Sequence, residues 1–157
     1  MDERWLQVLG SMTYGIYVLT THHGEEINGM IASWVSQISY DPPLLSVAVH
    51  PNRYSHHLIQ KSGSFALHLL HRDQTDFLTR FKGPDPKAKF AATEWVRGKT
   101  GSPILKQCLG YVDCVLREHY APGNHSLFIG EIVDGQLFSH EDPLSTLDYE
   151  GAYVGKV

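Results

Sequence analysis

The chain has 157 residues with 13 basic and 17 acidic side chains, a formal net charge of −4. At roughly 150 residues per domain this is one domain, and a globule of this size hides roughly 70% of the surface its unfolded chain would expose. A hydrophobic content of 42% can fill that core; a two-domain dehydrogenase is excluded, and the lack of a basic run argues against a general binder of nucleic acid or of anionic membrane.

The two cysteines, Cys108 and Cys114, form neither a CxxC pair nor a zinc-like spacing. No disulfide framework and no metal knuckle is expected, and a reducing compartment fits. The start, Met1-Asp2-Glu3-Arg4-Trp5, is acidic without an apolar leader, and no apolar run is long enough to cross a bilayer. The expectation is a soluble, cytoplasmic protein.

In chain order, residues 2–9 read as a short helix capped by Asp2, with Trp5, Leu6 and Leu9 on one face and Gly10 as its stop. That face should cover a barrel or a partner. The β-branched and aromatic residues 16–21 read as a strand, and polar residues 22–26 turn it into a run from Ile27 towards Ile38, making a hairpin. Asp41-Pro42-Pro43 enforces a turn, and the apolar stretches 44–49 and 65–70 read as buried strands. Between them lies a helix with Ser55 as N-cap, Tyr54 and Ile59 as a hydrophobic staple, and Gly63 as its stop.

Residues 73–81 repeat the helical pattern with Phe77, Leu78 and Phe81 on one face, and Asp85-Pro86 can open one more short turn. This segment is an insertion between strands. Val112, Cys114 and Leu116 alternate with Asp113 and Arg117 in a further strand, and residues 127–133 meet Leu137-Phe138 across an Asp134-Gly135 hairpin signal. About six strands with few helices give a mainly β fold, a small closed barrel with short helices, because closure removes exposed sheet edges.

There is no GxGxxG after a strand and no GxxxxGK[ST], HExxH or GxSxG. P-loop NTPases, zincins and α/β hydrolases are set aside. The 10 histidines are many, yet no metal site is expected: His68 and His71 would face opposite sides of a strand, and His22 and His23 would sit in a turn.

The stretch Val49-His50-Pro51-Asn52-Arg53-Tyr54-Ser55-His56-His57 ends a buried strand, supplies one arginine and begins a helix. Free N–H groups and the helix dipole attract an anion there, and the fork of Arg53 suits a phosphate monoester. In isolation, Ser55 would merely cap its helix and Arg53 would be a solvated loop residue. Upstream, Gly29-Met30-Ile31-Ala32-Ser33-Trp34-Val35-Ser36 reads as a strand with small Ala32 and Ser33, which lets a flat ring lie against the backbone. A close strand crossing or a bulge would account for the same small residues.

These pieces occur in a telling order. Met12-Thr13-Tyr14-Gly15, Gly29-Met30-Ile31-Ala32-Ser33-Trp34, Ser39-Tyr40-Asp41-Pro42-Pro43-Leu44-Leu45, Asn52-Arg53-Tyr54-Ser55, Ser62-Gly63-Ser64-Phe65 and His125-Ser126-Leu127-Phe128-Ile129-Gly130-Glu131 follow one another. The series resembles the flavin reductase family, and Gly151-Ala152-Tyr153 is similar to that family's final Gly-x-Tyr.

The resemblance implies an FMN-binding split β-barrel, a homodimer with flavin near the subunit interface. By similarity Ile31, Ala32, Ser33 and Trp34 would line the isoalloxazine, and Arg53 with Ser55 would hold the phosphate while His50, Asn52 and Tyr54 shape the loop. Lys89 would approach the phosphate, and Tyr153 would close over the ring. His125 matches a histidine associated with nicotinamide binding or proton delivery, although Asn124 stands here where the family carries Asp.

The implied cofactors are FMN, with FAD as the alternative, and NADH or NADPH as donor. The implied reaction passes hydride from reduced nicotinamide to flavin and on to a flavin, a ferric complex or a redox protein. The other reading is a non-enzymatic FMN-binding electron carrier with protein partners, which Asn124 and Trp34 favour.

Overall fold

The computed structural model describes residues 1–149. The expectation for Tyr153 lies outside the described residues. In chain order the elements are α1 (Glu3–Ser11), β1 (Tyr17–His23), β2 (Glu26–Ala32), β3 (Val35–Ser39), β4 (Leu44–Val49), α2 (Tyr54–Ser62) and β5 (Ser64–Leu69). They continue with α3 (Asp76–Lys82), α4 (Pro86–Ala91), β6 (Trp95–Arg97), β7 (Pro103–Leu105), β8 (Gly110–Tyr120) and β9 (Ser126–Leu137).

Seven strands make one antiparallel sheet in the order β2-β1-β5-β8-β9-β4-β3, and β6 pairs with β7 apart from it. The fold is mainly β with short helices, as expected. The sequence reading took residues 27–38 as one run; the chain instead breaks at Ser33-Trp34, so that β2 and β3 are the two opposite edges of the sheet. Three peptide units span at most about 11 Å, whereas seven flat strands would set their edges roughly 29 Å apart. The sheet therefore has to curl. Register shifts between β8 and β9, at Asp113/Cys114 and Leu116/Glu118, supply local bends.

Period-two alternation gives this sheet two cores. Leu19 joins Val47, Phe65, Leu67, Cys114 and Phe128 on one face, while its neighbour Val18 joins Leu70, Phe77, Phe81, Phe90 and Leu105 on the other. The second core is roofed by α3 and α4, which turns the expected insertion into a structural layer.

Several local expectations are corrected. The helix at the start passes through Gly10 to Ser11, although Asp2 does cap it by accepting the Arg4 N–H at 2.8 Å. No residue of α1 is buried. His22 and His23 lie in β1 rather than in a turn, which shrinks to Gly24-Glu25. The Asp134-Gly135 hairpin does not form, because β9 runs straight through it and Gly135 pairs with Val112. A Cβ on Gly135 would sit 2.8 Å from the Tyr111 carbonyl oxygen, so this glycine serves close strand approach.

Candidate functional site

After β4 the chain crosses residues 50–53 and enters α2. Arg53 is the N-cap, extended at φ −79° and ψ 135°, and no side chain caps the helix. Ser55 is thus not the cap that the sequence suggested, nor do Tyr54 and Ile59 form a staple. Ser55 lies inside the helix, fully buried, and its Oγ accepts a hydrogen bond from Asn28 Nδ2 at 2.9 Å. A tertiary partner has outcompeted local capping. The uncapped start leaves N–H groups and the positive end of the helix dipole for an anion. Gly63, in the left-handed region at φ 70°, ends the helix as expected.

Two side chains brace this start. The Tyr54 hydroxyl donates to Glu26 Oε2 at 2.6 Å, and that carboxylate pushes its pKa up to about 12. The Asn52 N–H donates to His50 Nδ1 at 3.1 Å.

A second cation arrives from the α3–α4 layer. A Cβ on Gly29 would meet the Phe81 ring at 2.7 Å, so only glycine lets Phe81 settle on β2. Phe90 packs edge-on to Phe81 with ring centres 5.9 Å apart, which carries the adjacent Lys89 over the same strand. Lys89 is only 5% exposed. Its Nζ donates to the Gly29 carbonyl at 2.8 Å and to Asn28 Oδ1 at 3.1 Å, and among the described residues it makes no ion pair. Burial, and then the charge of Arg53, lower its pKa to about 8, while Asp85 opposes them.

At the gap between β2 and β3 lie Ala32 and Ser33, both buried. The Ser33 Oγ has no hydrogen-bond partner among the described residues. The next side chain, Trp34, has its ring centre 4.8 Å from that of His125, which in turn meets His50 edge-on at 5.2 Å. His125 Nδ1 lies 2.8 Å from Asn124 Oδ1. An amide oxygen only accepts, so Nδ1 carries the proton and Nε2 keeps its lone pair in the neutral ring. Asn124 therefore orients the imidazole as an aspartate would, without charging it. Burial first, then His50 and Arg53, hold the His125 pKa below its ordinary value. His56 Nε2, 2.6 Å from Ser126 Oγ, ties α2 to the residue after His125.

The fold thus brings the rings of Trp34, His50 and His125 together, and the charge of Arg53 acts on both His125 and Lys89. Ile31 packs towards the α3–α4 core rather than with these rings. A separate hollow of about 310 Å³, lined by His71, Arg72, Asp73, Glu141 and Asp142, shares none of these residues. No grouping among the described residues could hold a metal ion. Sequence reading missed Asn28, whose signal was an asparagine inside a strand, where that residue is depleted.

Comparison with known proteins shows what the chain is similar to. The chain is 31% identical over 148 residues to the reductase subunit HsaB of a flavin-dependent monooxygenase from Mycobacterium tuberculosis, covering 94% of this chain and 79% of that protein. It is 30% identical over 147 residues to the high molecular weight rubredoxin of Moorella thermoacetica, covering 91% of this chain but 64% of the rubredoxin's length. Among solved structures, BorF, the flavin reductase component of a bacterial two-component tryptophan halogenase, superposes with a TM-score of 0.81 at 29% identity, over 92% of each chain. Residues 9–155 match the flavin reductase like domain, and the chain belongs to that family.

Proposed function

We propose that the chain is an NAD(P)H-dependent flavin reductase that binds FMN in the curled sheet, read as a split β-barrel. The observation that carries this is the buried Lys89 ammonium, tied through Asn28 to the uncapped start of α2, with the charge of Arg53 acting on both Lys89 and His125. One elongated ligand, anionic at one end and flat at the other, would span that arrangement.

The residues fit FMN. A buried ammonium with only neutral partners and an uncapped helix start suit a phosphate, and an orphaned Ser33 hydroxyl suits the polar edge of a ring. Flavin, when bound, supplies the hydride-accepting and electron-passing chemistry. Arg53, Lys89 and the first turn of α2 would bind its phosphate, with Ser55 behind them, while residues 32–34 would face its ring and Ile31 packs away from it. Trp34 would exclude water, and His125 can hold or release a proton at Nε2. FMN is preferred to FAD because the loops around Arg53 are short.

The proposed partner is a second copy of the chain, with flavin near the interface; α1 leaves Trp5, Val8 and Leu9 exposed for it, and Met12, which caps the helix, is exposed as well. The setting proposed from the sequence is cytoplasmic and reducing; among the described residues no helix is long and apolar enough to cross a membrane, and Cys108 and Cys114 are free. A second reading, an FMN-binding electron carrier, is favoured by the Trp34–His125 ring contact, which covers the imidazole, and by the likeness to a rubredoxin.

The deciding experiment is anaerobic. Protein reconstituted with FMN is mixed with NADH or NADPH, and the flavin absorption is followed. Rapid bleaching by either donor supports the reductase. Bound flavin that neither donor bleaches supports the carrier, and failure to take up FMN removes both.

A further inference from the structure

We infer that Asn28 is the positioning residue of the phosphate end: it holds Lys89 as a buried charge without a counter-ion, and so makes the site select phosphorylated over unphosphorylated flavin. This rests on the proposed phosphate site and assigns its selectivity to a residue that does not touch the ligand.

Three segments far apart in sequence meet in one buried chain of hydrogen bonds. Lys89 of α4 donates to Asn28 of β2, and Asn28 donates to Ser55 of α2, at 3.1 and 2.9 Å. All three are at least nine-tenths buried. Lysine only donates, so it fixes which way the Asn28 amide points: Oδ1 to Nζ, and Nδ2 therefore to Ser55. Asn28 thus ties the lysine-bearing helix to the second residue of α2, next to Arg53.

Its neutrality matters as much as its reach. An aspartate at this place would pair with Lys89, and the internal ion pair would use the charge that an arriving phosphate needs. With asparagine the ammonium is oriented but not neutralised, a costly state in a buried place. An anionic ligand relieves that cost; a ligand without phosphate does not. The charges that act on Lys89 are Arg53, at the start of α2, and Asp85, the cap of α4. Since burial brings the Lys89 pKa to about 8, attraction for phosphate is full below that pH and declines above it.

The test measures FMN and riboflavin affinities of the full chain by fluorescence quenching, from pH 6.5 to 9.5, for wild type, Asn28→Asp, Asn28→Ser and Arg53→Ala. In wild type the ratio of FMN to riboflavin affinity should be large and fall as pH rises through about 8. Asn28→Asp should lower the ratio at pH 7 about tenfold or more, because its carboxylate pairs with Lys89 and repels the phosphate, and should move the fall to higher pH, because a carboxylate keeps Lys89 protonated. Asn28→Ser, too short to reach Lys89, should lower the ratio and move the fall the opposite way, and serves equally if the aspartate variant does not fold. A preference for FMN that Arg53→Ala removes but both Asn28 variants leave at the wild-type ratio overturns this inference alone. A wild type without preference for FMN overturns the phosphate site as well.

Discussion

His68 offers a prediction whose size follows from the structure. It lies in β5, fully buried, with Nδ1 3.0 Å from the Val18 carbonyl and Nε2 accepting the Leu105 N–H at 3.0 Å. The ring is thus the neutral Nδ1–H tautomer, bridging β5 to β1 and to β7. Protonating Nε2 would break one bond and bury a charge, and burial accordingly lowers its pKa from 6.5 to about 4. Between those values the unfolded chain takes up a proton that the folded chain refuses. Stability is therefore complete above pH 6.5 and is lost as pH falls towards 4. At about 1.4 kcal/mol per pH unit, the loss over this window is about 3 kcal/mol. Urea unfolding of wild type and His68→Gln at pH 7.5 and 4.5 measures it. The variant should be less stable at pH 7.5, having lost the bridge, but should lose about 2 to 3 kcal/mol less than wild type on acidification. His56 and His125, whose values are also depressed, act in both proteins and cancel in the comparison. Equal acid sensitivity in the two would refute the buried neutral ring.

Two further outcomes bear on the site. His125→Ala should retain flavin but slow bleaching by the nicotinamide donor, most visibly in stopped flow near neutral pH; an unchanged rate would remove His125 from the reaction. Gly29→Ala should cost about 1–3 kcal/mol through overpacking, because the new Cβ meets Phe81 at 2.7 Å. Phe81→Leu added to it should recover part of the loss in a thermal melt, and no recovery would mean that the glycine serves some other purpose.

Much of the local structure around the candidate site could be read from the chain. The buried strand 44–49 matches its observed limits, and the Asp85-Pro86 signal opens α4, with Asp85 accepting the Lys87 N–H at 3.0 Å. Those are local devices, set by apolar run length, a missing N–H and a capping carboxylate. The errors have a common cause. Ser55 carries a perfectly good capping signal, but Asn28 reaches it from another strand. Asp134-Gly135 carries a hairpin signal, yet β8 offers β9 a longer ladder through the same residues. In each case a distant partner supplied more hydrogen bonds or burial than the local motif could.

The sequence by itself determined a mainly β fold with short helices, the order of motifs that identifies its family, and the succession of an arginine and a helix start, because these depend on residue type and near spacing. Only the tertiary structure decided that β2 and β3 part at Ser33-Trp34 to become opposite edges of one curled sheet. It alone set Lys89 beside Asn28, through a glycine that makes room for Phe81, and it alone brought Trp34, His50 and His125 ring to ring. Such meetings arise from how the sheet curls and which side chains share its two cores, and no spacing along the chain encodes those distances.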